Sequence, residues 1–289
     1  MKDKIKIETK GIYGISEAEY HADPCVTPSL SNSIAKLIEN RSPYHAWLEH
    51  PRLNPDHEPI NRKIFDMGSA AHNLLLDPEN DKIVVLDFDN FRTKVAQTAR
   101  NEVYFEGKTP ILKADFEKIE DMRDVAIEFI ETSELKDVFL NGLGEQAMVW
   151  QEKNGVWCRG LADWITNDHK IILDYKTTTN ADPETFILKH IIQQGYDMQG
   201  AHYLSGMYEI TGVNPTFVFL VQENIHPYSC SLVSLSEPFL EIGRAKIDRA
   251  IEVWKNCLES GKWGGYDSTI HYAFPPQWAL MEHEEKLDE

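Results

Sequence analysis

The chain has 289 residues, 42% of them hydrophobic and 26% charged, and a formal net charge of −18. This is the composition of an ordinary globular protein, long enough to bury a large core without disulfide or metal staples. The negative charge argues against a general nucleic-acid coat, because phosphate contacts need Lys and Arg, and leaves a locally basic channel inside an acidic exterior as the compatible arrangement.

Residues 1–30 hold two each of Gly, Pro and Ser and read as an extended arm. A short helix is expected from Ser31 to Asn40, with Ile34, Leu37 and Ile38 on one face. Pro43 suits the first turn of another, Tyr44 to His50. A proline-rich loop over 51–59 leads to a helix over 61–76, ended by Asp77-Pro78. A strand at 83–86 and helices at 94–105 and 113–131 complete a mostly helical N-terminal half. After Gly144 the pattern changes. Segments 146–151, 156–165 and 170–176 are rich in β-branched and aromatic residues, with turns at Asn154-Gly155 and Asn167-Asp168. Helices over 183–193 and 196–211, strands over 216–222 and 228–233, and a long helix over 237–258 follow, and the tail after Trp278 reads as acidic and mobile. The order β-β-β-α-α-β-β-α predicts a mixed α/β (α+β) fold, a central mixed sheet flanked by helices. The expected organisation is one structural domain: an arm and helices at 1–60, a core at 61–278 and an acidic tail at 279–289.

Cys25, Cys158, Cys230 and Cys257 form no C-x-x-C pair, so buried reduced thiols are expected rather than a zinc or redox site. No apolar run approaches the roughly 20 residues of a membrane helix, and Met1-Lys2-Asp3-Lys4 has no signal-peptide character, so the expected location is cytoplasmic with no membrane partner.

The informative residues are Cys158-Arg159-Gly160-Leu161-Ala162-Asp163-Trp164-Ile165 and Ile171-Ile172-Leu173-Asp174-Tyr175-Lys176. A four-residue turn at Thr166–His169 makes cross-strand partners sum to 335 and sets Asp163 opposite Ile172. Asp174 and Lys176 then share that face. Diagonal neighbours of this kind lie about 7–8 Å apart at Cα, close enough for two carboxylates to share one divalent cation. The Tyr175 carbonyl is a further candidate ligand, and Lys176 is placed to hold an attacking water or stabilise negative charge. Acids and a lysine inside so apolar a hairpin are costly unless paired or metal-bound.

G-x-x-D on one strand and I-I-L-D-Y-K on the next resemble the core of the PD-(D/E)XK nuclease superfamily, a restriction-endonuclease-like fold. Asp163 matches the first acid, Asp174 the D/E position and Lys176 the lysine. Ala162 stands where the motif has proline, and Asp174 is the less common acid. Gln199 and Tyr203, in Tyr196-Asp197-Met198-Gln199-Gly200-Ala201-His202-Tyr203, resemble the Q-x-x-x-Y motif of RecB-type members, where the pair would touch DNA and brace the site. His72, in Met67-Gly68-Ser69-Ala70-Ala71-His72, matches a metal-proximal position on the preceding helix.

The segments Tyr13-Gly14-Ile15-Ser16, Glu19-Tyr20-His21, Ser29-Leu30-Ser31-Asn32-Ser33, Ser42-Pro43-Tyr44-His45 and Pro275-Pro276-Gln277-Trp278 resemble RecE-like phage recombination exonucleases. That resemblance implies a Mg²⁺-dependent exodeoxyribonuclease, with Mn²⁺ as substitute and one or two ions. It would degrade the 5′-ended strand of linear double-stranded DNA to leave 3′ overhangs. It also implies a homo-oligomeric ring, a tetramer by preference, and a RecT-like single-strand annealing partner. Ser31, Ser33 and Arg41 are candidates for holding DNA phosphate, with helix capping as the other reading of Ser31. Glu145 reads as an edge-strand acid, with support of the metal site as its other reading. The alternatives are a RecB-like or CRISPR-adaptation nuclease subunit and a catalytically inactive DNA-binding protein of the same fold.

Overall fold

The computed structural model describes residues 6–57, 67–77 and 83–286. The strands are β1 (Gly11–Tyr13), β2 (Leu30–Ser31), β3 (Ile83–Leu86), β4 (Thr109–Leu112), β5 (Gly142–Gln151), β6 (Trp157–Thr166), β7 (Ile171–Thr178), β8 (Thr216–Glu223) and β9 (Cys230–Ser234). The helices are α1 (Glu17–His21), α2 (Asn32–Asn40), α3 (Pro43–Glu49), α4 (Met67–Leu76), α5 (Lys94–Phe105), α6 (Lys113–Glu131), α7 (Pro183–Phe186), α8 (Ile192–Gln194), α9 (Tyr196–Thr211), α10 (Glu237–Ser260) and α11 (Gln277–Glu285). A π-helical turn, Ile187–Ile191, joins α7 to α8. The helix expected over 61–76 is seen as α4; its first six residues lie outside the described residues. None of the described helices is long and apolar enough to cross a membrane.

The main sheet runs β1-β5-β6-β7-β8-β9, with β2 also paired to β6. Neighbours are antiparallel except β7 with β8 and β2 with β6. A parallel pair needs a long crossover, and the stretch from α7 through α9 supplies it. The long β5–β6 hairpin closes where Gly155 takes φ +88°, a conformation that strains residues with a Cβ.

Each face of the sheet carries a large core, and a smaller cluster of Ile7, Cys25, Val149 and Trp157 lies apart from both. On the first, Met148, Trp150, Ile172, Phe217 and Phe219 pack against Ile34 and Ile38 of α2, Met198 and Met207 of α9, and Ile247 and Trp254 of α10. On the second, Trp164, Leu173 and Leu220 pack against Ala71 and Leu75 of α4 and Ile119 and Met122 of α6. Burying each large apolar side chain contributes about 1.5–3 kcal/mol, so the two helical layers hold the strands between them in fixed register.

Two expectations are corrected. The described part of the arm is not simply extended: Ser16 and Glu19 form a reciprocal capping box that starts α1, and Gly11–Tyr13 joins the sheet as β1. The β6–β7 turn is Asn167–Lys170 rather than Thr166–His169. Ile165 pairs with Ile172 and Trp164 with Leu173, so partners sum to 337. The Asp168 carboxylate fixes that turn, accepting from the Thr166 hydroxyl at 2.8 Å and the Lys170 N–H at 3.1 Å. A slip of two residues leaves the facing of the strand unchanged.

Candidate active site

Strands β6 and β7 pair only at their turn-proximal ends. Beyond Trp164 and Leu173 they splay, and β2 takes the place beside the first half of β6. Asp163 and Asp174 are the next residues on either side of that fork. The Tyr175 N–H, which a closed ladder would have paired with β6 backbone, donates instead to Asp163 Oδ2 at 2.8 Å. Across the other edge of β6, Gly144 pairs with Trp164 and Gln146 with Ala162, which sets Glu145 beside Asp163. Glu145 adopts φ +51°, and such left-handed strain in a side-chain-bearing residue concentrates at functional sites. Three neighbouring strands thus bring Glu145, Asp163 and Asp174 into one row.

Helices approach this row from both faces. From the second core, α4 inserts His72, with Nε2 at 3.1 Å from Asp163 Oδ2 and Nδ1 at 3.3 Å from Glu145 Oε1. From the first core, α9 brings Gln199, whose amide donates to Asp174 Oδ2 at 2.6 Å. One turn later on α9, the Tyr203 hydroxyl donates to the Leu161 carbonyl at 2.8 Å. Gly160 makes that approach possible, since a Cβ there would lie 2.8 Å from the Tyr203 ring. Lys176 pairs with Asp174 Oδ1. A cleft of about 390 Å³ opens on the group, lined by His72, Glu145, Asp163, Tyr175 and Lys176 among others.

The electrostatics are those of a site with surplus negative charge. Burial and the nearby Asp163 carboxylate push Asp174 up to about 6, outweighing the pull of Lys176. Burial would raise Asp163 too, but His72, then Lys176 and the Tyr175 N–H, hold it below the usual carboxylate range. Burial pulls His72 down, yet Asp163, then Glu145 and Asp174, lift it to about 9. His72 therefore sits as an imidazolium between two carboxylates, in the place a metal cation would compete for. His72, Glu145 and Asp163 each offer a ligand atom, all within 4.8 Å of one another. One imidazole nitrogen with carboxylate oxygens suits a hard or borderline divalent cation, so the donor set fits a metal centre.

The sequence matches, over residues 33–273, the family described as a PDDEXK-like domain of unknown function (DUF3799). The chain belongs to this family. Its fold is accordingly that of the PD-(D/E)XK nucleases, as the core motif suggested. A candidate exonuclease from Eubacterium rectale has a similar structure, with a TM-score of 0.55 at 14% identity, covering 93% of this chain and 98% of that one. An alkaline exonuclease from Laribacter hongkongensis aligns with a TM-score of 0.26 at 10% identity, over 59% of this chain and 87% of its own. Among curated proteins none matches.

In this PDDEXK-like chain the residues anticipated from sequence fall into two groups. Asp163, Asp174, Tyr175, Lys176, His72, Gln199 and Tyr203 converge. Asp174 differs from its expected role in one respect: its two oxygens are engaged by Lys176 and Gln199, and Glu145, read as an edge-strand acid, completes the three-donor cluster in its stead. Only the backbone twist at Glu145, which alternation of residue types does not encode, turns it inward. Ser31, Ser33 and Arg41 do not form one group. Ser31 caps α2 through the Ile34 N–H and shares a hydrogen bond with Ser33 at 2.9 Å. Arg41 is exposed at the opposite end of that helix, roughly 14 Å away along its axis. Lys36, on α2, was not singled out by the sequence. It feels the charges of Lys176 and Asp174, and it is the sole charged residue between Asp23 and Glu39.

Proposed function

We propose that the protein is a divalent-metal-dependent exodeoxyribonuclease acting on linear double-stranded DNA. The observation that carries this reading is the fork between β6 and β7, where Asp163, Asp174 and Lys176 meet His72 and Glu145 at an open cleft. Asp163, Glu145 and His72 would hold a magnesium or manganese ion, with Asp174 and the Tyr175 carbonyl as further ligands. When bound, such an ion supplies Lewis acidity and a water of lowered pKa. Asp163 is poised for this by its depressed pKa. His72 would give up its proton to serve as a ligand, so metal uptake would liberate protons. Lys176, held by Asp174, presents its ammonium to the scissile phosphate and the charge developing there. Gln199 fixes Asp174, and Tyr203 fixes the β6 backbone just before Asp163.

The finer assignment, 5′→3′ degradation leaving 3′ overhangs for recombination, rests on the RecE-like segments. The same segments support a ring of copies, a tetramer by preference, and a RecT-like annealing partner. Self-association has separate support at the C-terminus. Ile270, Tyr272 and Phe274 alternate along a stretch outside helix and strand, each more than three-quarters exposed, and no Asp, Glu, Lys or Arg lies between Asp267 and Glu282. An apolar, uncharged arm is where two acidic copies meet with least repulsion.

The test is digestion of linear duplexes labelled at either the 5′ or the 3′ ends, with and without Mg²⁺. Mg²⁺-dependent early release of the 5′ label is expected. Early release of the 3′ label would reverse the polarity, and an intact duplex in Mg²⁺ and Mn²⁺ would refute the activity.

A further inference from the structure

Tyr196 opens α9 directly after Gly195, whose φ is +67°. Two ammonium groups lie at its ring. Lys36 Nζ is 5.3 Å from the ring centroid and Lys176 Nζ is 5.4 Å. The ring is itself anchored, with Phe219 at 5.5 Å and Phe186 at 5.9 Å between centroids. Lys36 is anchored too, donating to the Gln194 carbonyl at 3.0 Å. Gly195 permits this arrangement, because a Cβ there would meet the Lys36 side chain at 3.0 Å. Lys176 lines the cleft, whereas Tyr196 and Lys36 are absent from its lining.

A lysine ammonium rides on a flexible four-carbon stem and holds one orientation only if its surroundings impose it. Asp174 attracts Lys176 from one side. An aromatic face attracts cations through its quadrupole, so the Tyr196 ring offers a second hold. Lys36 carries the same charge as Lys176 and so repels it. Together the three confine the Lys176 ammonium to the cleft wall.

We propose that Tyr196 is a positioning residue, a cation–π brace that, with Lys36 as its second cation, fixes Lys176 in its working orientation. The kinetic consequence rests on the nuclease reading above; the structural consequence does not.

Two experiments on the full chain test it. In the first, Tyr196 is replaced by phenylalanine and by mono-, di- and trifluorinated phenylalanines, which weaken the ring's hold on cations with little change of shape. Tyr196→Phe should keep near-native turnover. Across the fluorinated series kcat on linear duplex should fall stepwise, to about tenfold at the end, while KM and melting temperature stay level. A flat kcat across the series, or a melting temperature falling in step with kcat, would overturn the proposal. The second experiment compares crystal structures of the wild type and Tyr196→Leu. Lys176 should lie against the ring and Asp174 in the wild type and leave Asp174 in the variant. An unmoved Lys176 overturns the brace even if the wild type digests nothing. A wild type that digests nothing while Lys176 still depends on the ring refutes the nuclease reading alone.

Discussion

Strand β6 carries two polar clusters, one around Arg159 and one around Asp163, four residues further on. At Arg159 the partner acid is Asp23, whose side chain is fully buried. It accepts from the Ser29 hydroxyl at 2.6 Å and the Ser29 N–H at 3.0 Å, and lies 3.3 Å from both Arg159 and His50. His50 Nδ1 accepts from the Arg52 N–H, which leaves the proton on the Nε2 that faces Asp23. Burial would raise Asp23, but the His50 hydrogen bond, Arg159 and Ser29 together hold it at about 2. Asp174, on β7 and equally buried, is instead pushed up to about 6. Both clusters even contain an acid with positive φ, Asp23 and Glu145. The difference is in saturation. The Asp23 carboxylate is saturated: Ser29 donates to both its oxygens, and Arg159, Arg52 and His50 face it, so its charge is met within the protein. The Asp163 cluster crowds three carboxylates against two cations beside an open cleft, an arrangement suited to an incoming divalent ion. Burial of charge alone does not mark a site; unbalanced burial facing a cavity does.

This contrast predicts opposite mutational behaviour, with the largest effects at the open cluster. Asp163→Asn and Lys176→Ala should each lower Mg²⁺-dependent DNA digestion about a thousandfold, with melting temperatures within a few degrees of wild type. Similar digestion rates in wild type and variants would merge the two clusters into one structural class. Arg159→Met should do the reverse. Removing the buried guanidinium, which leaves the part-exposed Arg52 at 3.5 Å as the cation facing Asp23, should destabilise the fold by about 3 kcal/mol, seen in urea unfolding, while activity per folded molecule is retained. Mg²⁺ or Mn²⁺ at about a hundred times its Kd should stabilise the wild type by about 2.7 kcal/mol and Asp163→Asn hardly at all. The smallest effect is in pH. Asp23 titrates lower in the folded chain than in the unfolded one, so its contribution is present above about pH 4 and lost as pH falls toward 2. The stability gap between wild type and Asp23→Asn, about 2 kcal/mol at neutral pH, should therefore close on acidification. A gap that widens would contradict the assignment.

Local signals made much of this molecule legible in its sequence. The helices Lys94–Phe105, Lys113–Glu131 and Tyr196–Thr211 emerge over the residues expected of them. Asp163, Asp174 and Lys176 could be found because alternation on a strand fixes facing, and facing survived the two-residue error in the turn. What the sequence withheld depends on distant partners. Strand β2 is two residues long and exists only because β6 has a free edge there. Glu145 turns inward through a backbone twist that residue types do not announce. The closeness of Lys36 and Tyr196 to Lys176 requires α2 and α9 to pack side by side, and that packing is tertiary. The Arg159 cluster was missed for the same reason: its members come from residues 23, 29, 50, 52 and 159, with no spacing in common.

The central claim is that the row of acids between β5, β6 and β7 takes a divalent cation that the Asp23 cluster does not. Anomalous diffraction from crystals soaked in Mn²⁺ measures this directly. A peak bonded to Asp163 and Glu145, with His72 as nitrogen ligand, and no density at Asp23 is the predicted result. A map without a peak at Asp163, or with manganese at Asp23 instead, would contradict it.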